Sequence, residues 1–169
     1  ANAIALATAD AANAPSVRHV LLRGIGAEGF TFFTNYDSRK GRELAANPRG
    51  AFTVLWRELD RQVNVRGAVR RLPDEESDAY FEGRPREAQI GAWASRQSEP
   101  LRDRDELEQH LADATERFDG KDVPRPPFWG GFLLTPDTIE FWQGRRFRLH
   151  DRFRYTRRDA GWHLERLSP

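Results

Sequence analysis

The punctuation of the first 71 residues limits the fold more than any other feature. "AIALATAD", "SVRHVLLRGI", "FTFFTN", "GAFTVLW" and "RQVNVRGAVRRL" read in turn as strands, bounded by turn residues as short strands are. The links "AANAP", "GAEG" and "ELD" are too short for the crossover that a parallel pair requires. The one longer link carries a short helix from about residue 38 to 47, stopped by Pro48. In the fifth segment Val63 and Val65 alternate with Gln62, Asn64 and Arg66, the pattern of a strand with one buried face. Antiparallel pairing follows.

Two helical stretches come next. "DEESDAYFEGRPREAQIGAWASRQ" breaks near Gly83 and Pro85, and "RDELEQHLADATERF" puts Leu107, Leu111, Ala114 and Phe118 on one stripe. After the proline-rich "VPRPPFWGG" the chain returns to strands in "FLLTPDTIEFWQG", "RFRLHDRFRYTR" and "GWHLERL". The fold class is mainly β with α additions: an antiparallel barrel with flanking helices, one domain over residues 1–169.

Composition excludes several classes. A chain of 169 residues supports one core. A 38% hydrophobic content with net charge +1 argues against disorder and against a dedicated nucleic-acid binder. Without cysteine there are no disulfides or thiolate sites. No apolar run approaches membrane-spanning length, and no signal peptide is visible. The sequence opens without Met and directly in a strand pattern, so a native N-terminal segment is expected to be missing. His19, His110 and His163 share no spacing that suggests a metal site. No P-loop, nucleophile elbow or GxGxxG fingerprint occurs. The acidic runs "DEESD" and "RDRDELE" read as helix-start and surface charge.

The cations carry more information. In "TNYDSRKGRELAANP", Arg39 and Lys40 open a helix, where partial positive charge and free N–H groups favour Asp or Glu. All but two of the 27 basic residues are arginine, the exceptions being Lys40 and Lys121. The plainer reading is two solvated side chains at an exposed helix start that tolerates alanine. The functional reading is a bound anion, most simply a phosphate, clamped by both cations and the helix N–H groups. In "RRFRLHDRFRY", strand alternation predicts Phe147, Leu149, Phe153 and Tyr155 on one face and Arg146, Arg148, His150, Arg152 and Arg154 on the other. Trp142 in the preceding "IEFWQG" could wall a flat ligand. Trp56, Trp93 and Trp129 read as core or interface.

Taken in order and spacing, "SVRHVLLR", "FFTNYDSRKGREL", "RQVNVRG", "YFEGRPREAQIGAWASRQS", "FWGGF" and "IEFWQGRRFRLHDRFRY" resemble the pyridoxine/pyridoxamine 5'-phosphate oxidase family from about residue 3 to the terminal "RLSP". The resemblance implies a cytoplasmic FMN-binding split barrel, working as a homodimer with FMN between subunits. Positions matching the family's FMN contacts are Arg18, His19, Val20, Leu21, Leu22, Arg23, Phe33, Thr34, Arg39, Lys40, Gln62, Gln97, Ser98, Trp142 and Arg152. The substrate-phosphate contacts map to Arg23, Tyr80, Arg84 and Ala88, and the catalytic positions beside the substrate ring to Arg148 and His150. The implied reaction moves a hydride from C4' of a phosphorylated B6 vitamer to the flavin, with O2 as final acceptor and H2O2 as product. No metal, nucleic acid or membrane partner is implied.

Two positions depart from the family pattern, which has Lys at Arg23 and Ser at Ala88. Arg and Lys are not equivalent toward phosphate, and the lost hydroxyl is worth about 1 kcal/mol. The alternatives are a flavin oxidase of the phenazine-biosynthesis type, a non-catalytic FMN-binding split barrel and, more remotely, an RNA-binding barrel using the arginine face.

Overall fold

The computed structural model describes residues 2–169. Its strands are β1 (Ala3–Ala9), β2 (Pro15–Gly26), β3 (Gly29–Asn35), β4 (Arg49–Trp56), β5 (Arg61–Arg71), β6 (Trp129–Gln143), β7 (Asp151–Arg158) and β8 (Gly161–Leu167). The helices are α1 (Arg39–Ala46), α2 (Asp74–Glu82), α3 (Arg86–Ala94) and α4 (Arg104–Arg117). The sheet runs β3-β2-β1-β4-β5-β6-β7-β8, and β3 also pairs with β6. That extra pairing closes six strands into a barrel and leaves β7 and β8 as a hairpin continuing from β6. The antiparallel barrel expected from the short links is what forms.

The chain divides into two compact units. The first comprises the chain up to Phe32, Glu43–Arg70 and Leu133–Pro169. In β1 the alternation "AIALATA" buries Ile4, Leu6 and Thr8, which share a core with Phe32, Phe52, Val54, Val65 and Leu134. The register of β2 against β3 shifts between Leu22 and Gly24. The extra residue is Arg23, which the bulge turns out of the ladder.

The second unit comprises Phe33–Arg42 and Arg71–Phe132. Its core gathers Phe81, Ile90, Ala94, Ala114, Phe118, Val123 and Trp129. Asp103 caps α4 by accepting from the Glu106 N–H at 2.9 Å. The stripe expected on α4 is narrower than its sequence suggested: Ala114 and Phe118 are buried, but Leu111 is 45% exposed. No described helix is long and apolar enough to cross a membrane.

One expected element is corrected. "RFRLHDRFRYTR" is not a continuous strand. Gln143 pairs with Asp151 across β6 and β7, and the residues between them form the hairpin tip, with a 3-10 turn at Arg146–Arg148. Phe147 and Arg148 have φ of 58° and 62°, a left-handed conformation that no strand contains and that costs a non-glycine residue about 1–2 kcal/mol. The predicted five-cation face is therefore broken before β7 begins, and only Arg152 and Arg154 keep the alternation expected of them.

Candidate active site

The first cluster lies in the second unit, where β3 hands over to α1. Ser38 is fully buried, and its hydroxyl uses all of its bonding capacity. It donates to the Asn35 carbonyl at 2.7 Å and accepts from the Gly41 N–H at 3.3 Å and from Lys40 Nζ at 3.1 Å. The Gly41 contact caps α1. A side chain at Gly41 would strike the Tyr36 carbonyl, so the turn into the helix needs glycine there. Lys40 is only 7% exposed, which corrects the exposed helix start that the sequence suggested. Its ammonium also donates to Thr34 Oγ1 at 3.1 Å and Gln97 Oε1 at 2.7 Å, and Thr34 Oγ1 donates to Gln97 Oε1 at 2.9 Å. Three N–H groups meet three neutral oxygens. Those oxygens fix the ammonium in place.

The first turn of α1 holds no acid, and Arg39 beside it is exposed. A pocket of about 280 Å³ adjoins the cluster, lined by Asn35, Asp37, Ser95, Arg96, Gln97 and Phe128 among others. Ser98, at φ 74°, turns the exposed loop that carries Gln97. A buried ammonium, a neighbouring guanidinium and an acid-free helix start offer the positive charge and N–H donors that a phosphomonoester takes. The residues present fit the phosphate end of FMN.

The second cluster, in the same unit, is an aromatic shelf. Phe33 stacks on Tyr80 with centroids 3.7 Å apart and planes 10° apart, and on Trp129 at 5.6 Å and 17°. The Arg84 guanidinium lies over the Trp129 ring at 4.6 Å, a cation–π contact. Arg125 fastens this shelf from behind: it donates to the Trp129 carbonyl at 2.7 Å and pairs with Asp74 at 2.7 Å and Asp78 at 2.5 Å. Burial alone would lower the Arg125 pKa, but the bonds to Asp78 and Asp74 outweigh it and raise it. Ala88, half-buried at the start of α3, brings no hydroxyl. Tyr80 and Arg84 both lie against the Trp129 ring, at 6.2 and 4.6 Å. Trp129 and Arg125, which hold them, were read as core and loop because nothing local in the sequence marks either one.

The third cluster belongs to the first unit, at the β6–β7 hairpin tip. The Trp142 and His150 rings lie 4.6 Å apart. The Arg145 N–H donates to His150 Nδ1 at 3.1 Å, so a neutral His150 carries its proton on Nε2. Arg148 is exposed. Gly144 lets the tip approach the β4–β5 turn: its N–H donates to the Asp60 carbonyl at 2.7 Å, and an added Cβ would come within 2.8 Å of the Asp60 side chain. Gln143 reinforces this by accepting from Arg61 Nε at 2.7 Å. Asp151 binds Arg145 at 2.7 Å and also Arg166, and those two bonds, Arg145 first, lower its pKa.

Some expected cofactor contacts are spent elsewhere. Arg152 forms a two-point pair with Glu140 at 2.9 and 3.1 Å, and that bond raises its pKa against the opposing effect of burial. Arg18 donates to the Leu6 carbonyl at 3.2 Å, to Thr8 Oγ1 at 2.6 Å, to Ser16 and to Glu43 at 3.1 Å. Its guanidinium is thus committed to the barrel. Gln62 donates to Asn64 at 3.1 Å. Along the rest of β2, Val20 and Leu22 are half-buried while His19, Leu21 and Arg23 are exposed. Glu43 and Glu140 were invisible as partners because their arginines lie 25 and 12 residues away.

Residues 1–118 match the family described as pyridoxamine 5'-phosphate oxidase, and residues 129–169 match the pyridoxine 5'-phosphate oxidase C-terminal dimerisation region. The chain belongs to the pyridoxamine 5'-phosphate oxidase family. A pyridoxine/pyridoxamine 5'-phosphate oxidase of Rubrobacter xylanophilus is 57% identical over 168 residues, covering 99% of this chain and 77% of that protein. One from Anaeromyxobacter dehalogenans is 57% identical over 169 residues, covering 100% and 85%. Among solved structures, PhzG from Burkholderia lata 383 in complex with tetrahydrophenazine-1-carboxylic acid superposes with TM-score 0.93 at 36% identity, covering 99% of this chain and 82% of that one. A pyridoxamine 5'-phosphate oxidase-related FMN-binding protein from Nostoc punctiforme shares the fold, with TM-score 0.79 at 17% identity and coverage of 99% and 88%. This oxidase family's split barrel is therefore the fold of the present chain.

Proposed function

We propose that this protein is a cytoplasmic, homodimeric, FMN-dependent oxidase that converts pyridoxine 5'-phosphate, pyridoxamine 5'-phosphate or both to pyridoxal 5'-phosphate. The observation that carries the reading is the buried Lys40 ammonium, held by Thr34, Ser38 and Gln97 at an acid-free helix start. FMN, when bound, supplies the two-electron acceptor and the route of those electrons to O2, which leaves as H2O2. Lys40, Arg39 and the α1 N–H groups hold its phosphate. Because the three Lys40 donors are already matched, a phosphate oxygen takes over one acceptor position, and Gln97 on its exposed loop is the partner able to yield.

The chain's other residues place the substrate. Tyr80 and Arg84 take its phosphate, with Trp129 setting the plane of the guanidinium. Arg148 offsets negative charge on the substrate ring. His150, held in the Nε2–H form by the Arg145 N–H, donates toward the substrate and keeps C4' oriented. The alcohol loses a hydride from C4' and its hydroxyl proton to give the aldehyde. The amine gives an imine that water hydrolyses to the same aldehyde.

A second reading, a phenazine-type oxidase, draws on the likeness to PhzG and on the Arg23 and Ala88 departures. One preparation separates the two. The purified protein reconstituted with FMN is given pyridoxine 5'-phosphate and, separately, pyridoxamine 5'-phosphate under air, and peroxide and pyridoxal 5'-phosphate are followed. Stoichiometric formation of both supports the first reading. Tightly bound FMN with no turnover of either vitamer would move the assignment to the second, and failure to bind FMN would remove both.

A further inference from the structure

We infer that Asp151 is a positioning residue for this reaction, tying Arg145 to Arg166 so that the hairpin tip presents Arg148 and His150 in a fixed geometry. The inference rests on the oxidase reading above. The tip gains little from burial, since Phe147 is 88% exposed and Leu149 is also exposed. It nevertheless holds two successive left-handed non-glycine residues, one of them Arg148. Such a conformation persists only where its surroundings over-determine it, so the tethers at its ends must supply what burial does not.

Those tethers converge on Arg145. Its main-chain N–H holds His150 Nδ1 at 3.1 Å, while its side-chain Nε holds Asp151 Oδ2 at 2.7 Å. The other Asp151 oxygen binds Arg166, which lies on β8 opposite Phe153 and covers that ring at 5.2 Å. Asp151 thus acts on His150 through Arg145 and moors both to the last strand. The carboxylate also separates two guanidinium groups that would otherwise repel. No part of Asp151 is required to touch the substrate.

The test uses the full chain loaded with FMN. In Asp151→Asn, kcat for pyridoxine 5'-phosphate falls about tenfold, while FMN affinity and KM stay within about twofold. Arg145→Ala keeps the main-chain N–H and lowers kcat in the same direction. The double variant loses little more than either single one, as expected for a shared tether. A second readout needs no turnover: in the FMN-free protein, long-range 1H–15N spectra report His150 as the Nε2–H tautomer, and Asp151→Asn turns it into a mixture. If Asp151→Asn does not fold, Arg145→Ala, at an exposed side chain, carries both readouts. A kcat within about twofold of the parent, or a His150 tautomer unchanged by either substitution, overturns the inference. A parent protein that oxidises neither vitamer overturns the oxidase reading instead, and the spectra still decide the role of Asp151.

Discussion

Arg18 and Glu43 meet at 3.1 Å, and the Glu43 carboxylate is only 4% exposed. Thr8 and Ser16 also donate to that carboxylate, so the pair forms part of a satisfied network inside the barrel unit. Removing the Arg18 guanidinium takes a charge-assisted partner from a buried carboxylate, which costs about 3 kcal/mol. Arg18→Ala should therefore lower the Tm of the FMN-free protein by roughly 6–12 °C. Glu43→Gln added to Arg18→Met should recover part of that loss, because no isolated charge remains. A Tm unchanged in the FMN-free Arg18→Ala protein would mean that the arginine is held for a ligand and not for the barrel.

Arg148 makes a different prediction. It is exposed at the hairpin tip, so Arg148→Ala should leave the fold and FMN affinity intact. Flavin reduction by pyridoxine 5'-phosphate, followed by stopped flow, should slow by about 100-fold. Normal reduction would show that the substrate ring lies elsewhere.

Trp129 should act on binding more than on chemistry. Its ring supports the Arg84 guanidinium at 4.6 Å, and Trp129→Leu removes the π face while keeping the position apolar. The expected result is a KM for the phosphorylated substrate raised about tenfold, the scale of a desolvated cation–π contact, with little change in kcat. An equal loss in kcat would assign Trp129 to the catalytic geometry.

The acid limb of stability should report Asp151. Its carboxyl is held below its ordinary value of 3.8 by Arg145 and then Arg166. A depressed carboxyl stabilises the folded state fully above the unfolded pKa and loses that contribution as pH falls through the folded one. The Tm difference between the parent and Asp151→Asn should therefore be constant from neutral pH down to about pH 5 and shrink as the pH falls below the ordinary carboxyl value of 3.8. A difference that is unchanged in acid would show that the bonds to Arg145 and Arg166 do not form in solution.

Much of the barrel was legible because its signals are local. The alternation around Val63 and Val65 and the short turn sequences dictate antiparallel neighbours without reference to distant contacts. The tip at 144–150 was not legible. "RFRLHDRFRY" alternates well enough to pass for one strand, and only the tertiary moorings of Gly144 and Gln143 show that the chain turns back there. Lys40 was found from the dipole argument, but its burial was not, because Gln97 arrives from 57 residues away. The partners of Arg18, Arg84 and Arg152 escaped notice for the same reason: an arginine-rich sequence does not state which carboxylate or ring each guanidinium will meet.

The central claim is that Lys40 binds the flavin phosphate, and the discriminating measurement compares FMN with riboflavin by fluorescence quenching in the parent and in Lys40→Met, which preserves side-chain length in a buried position. The parent should prefer FMN by at least about 100-fold, near 2.7 kcal/mol of charge-assisted bonding. Lys40→Met should shrink that preference to below about tenfold while leaving riboflavin affinity unchanged. A parent that binds the two flavins equally, or a variant that keeps the full preference, would contradict the account.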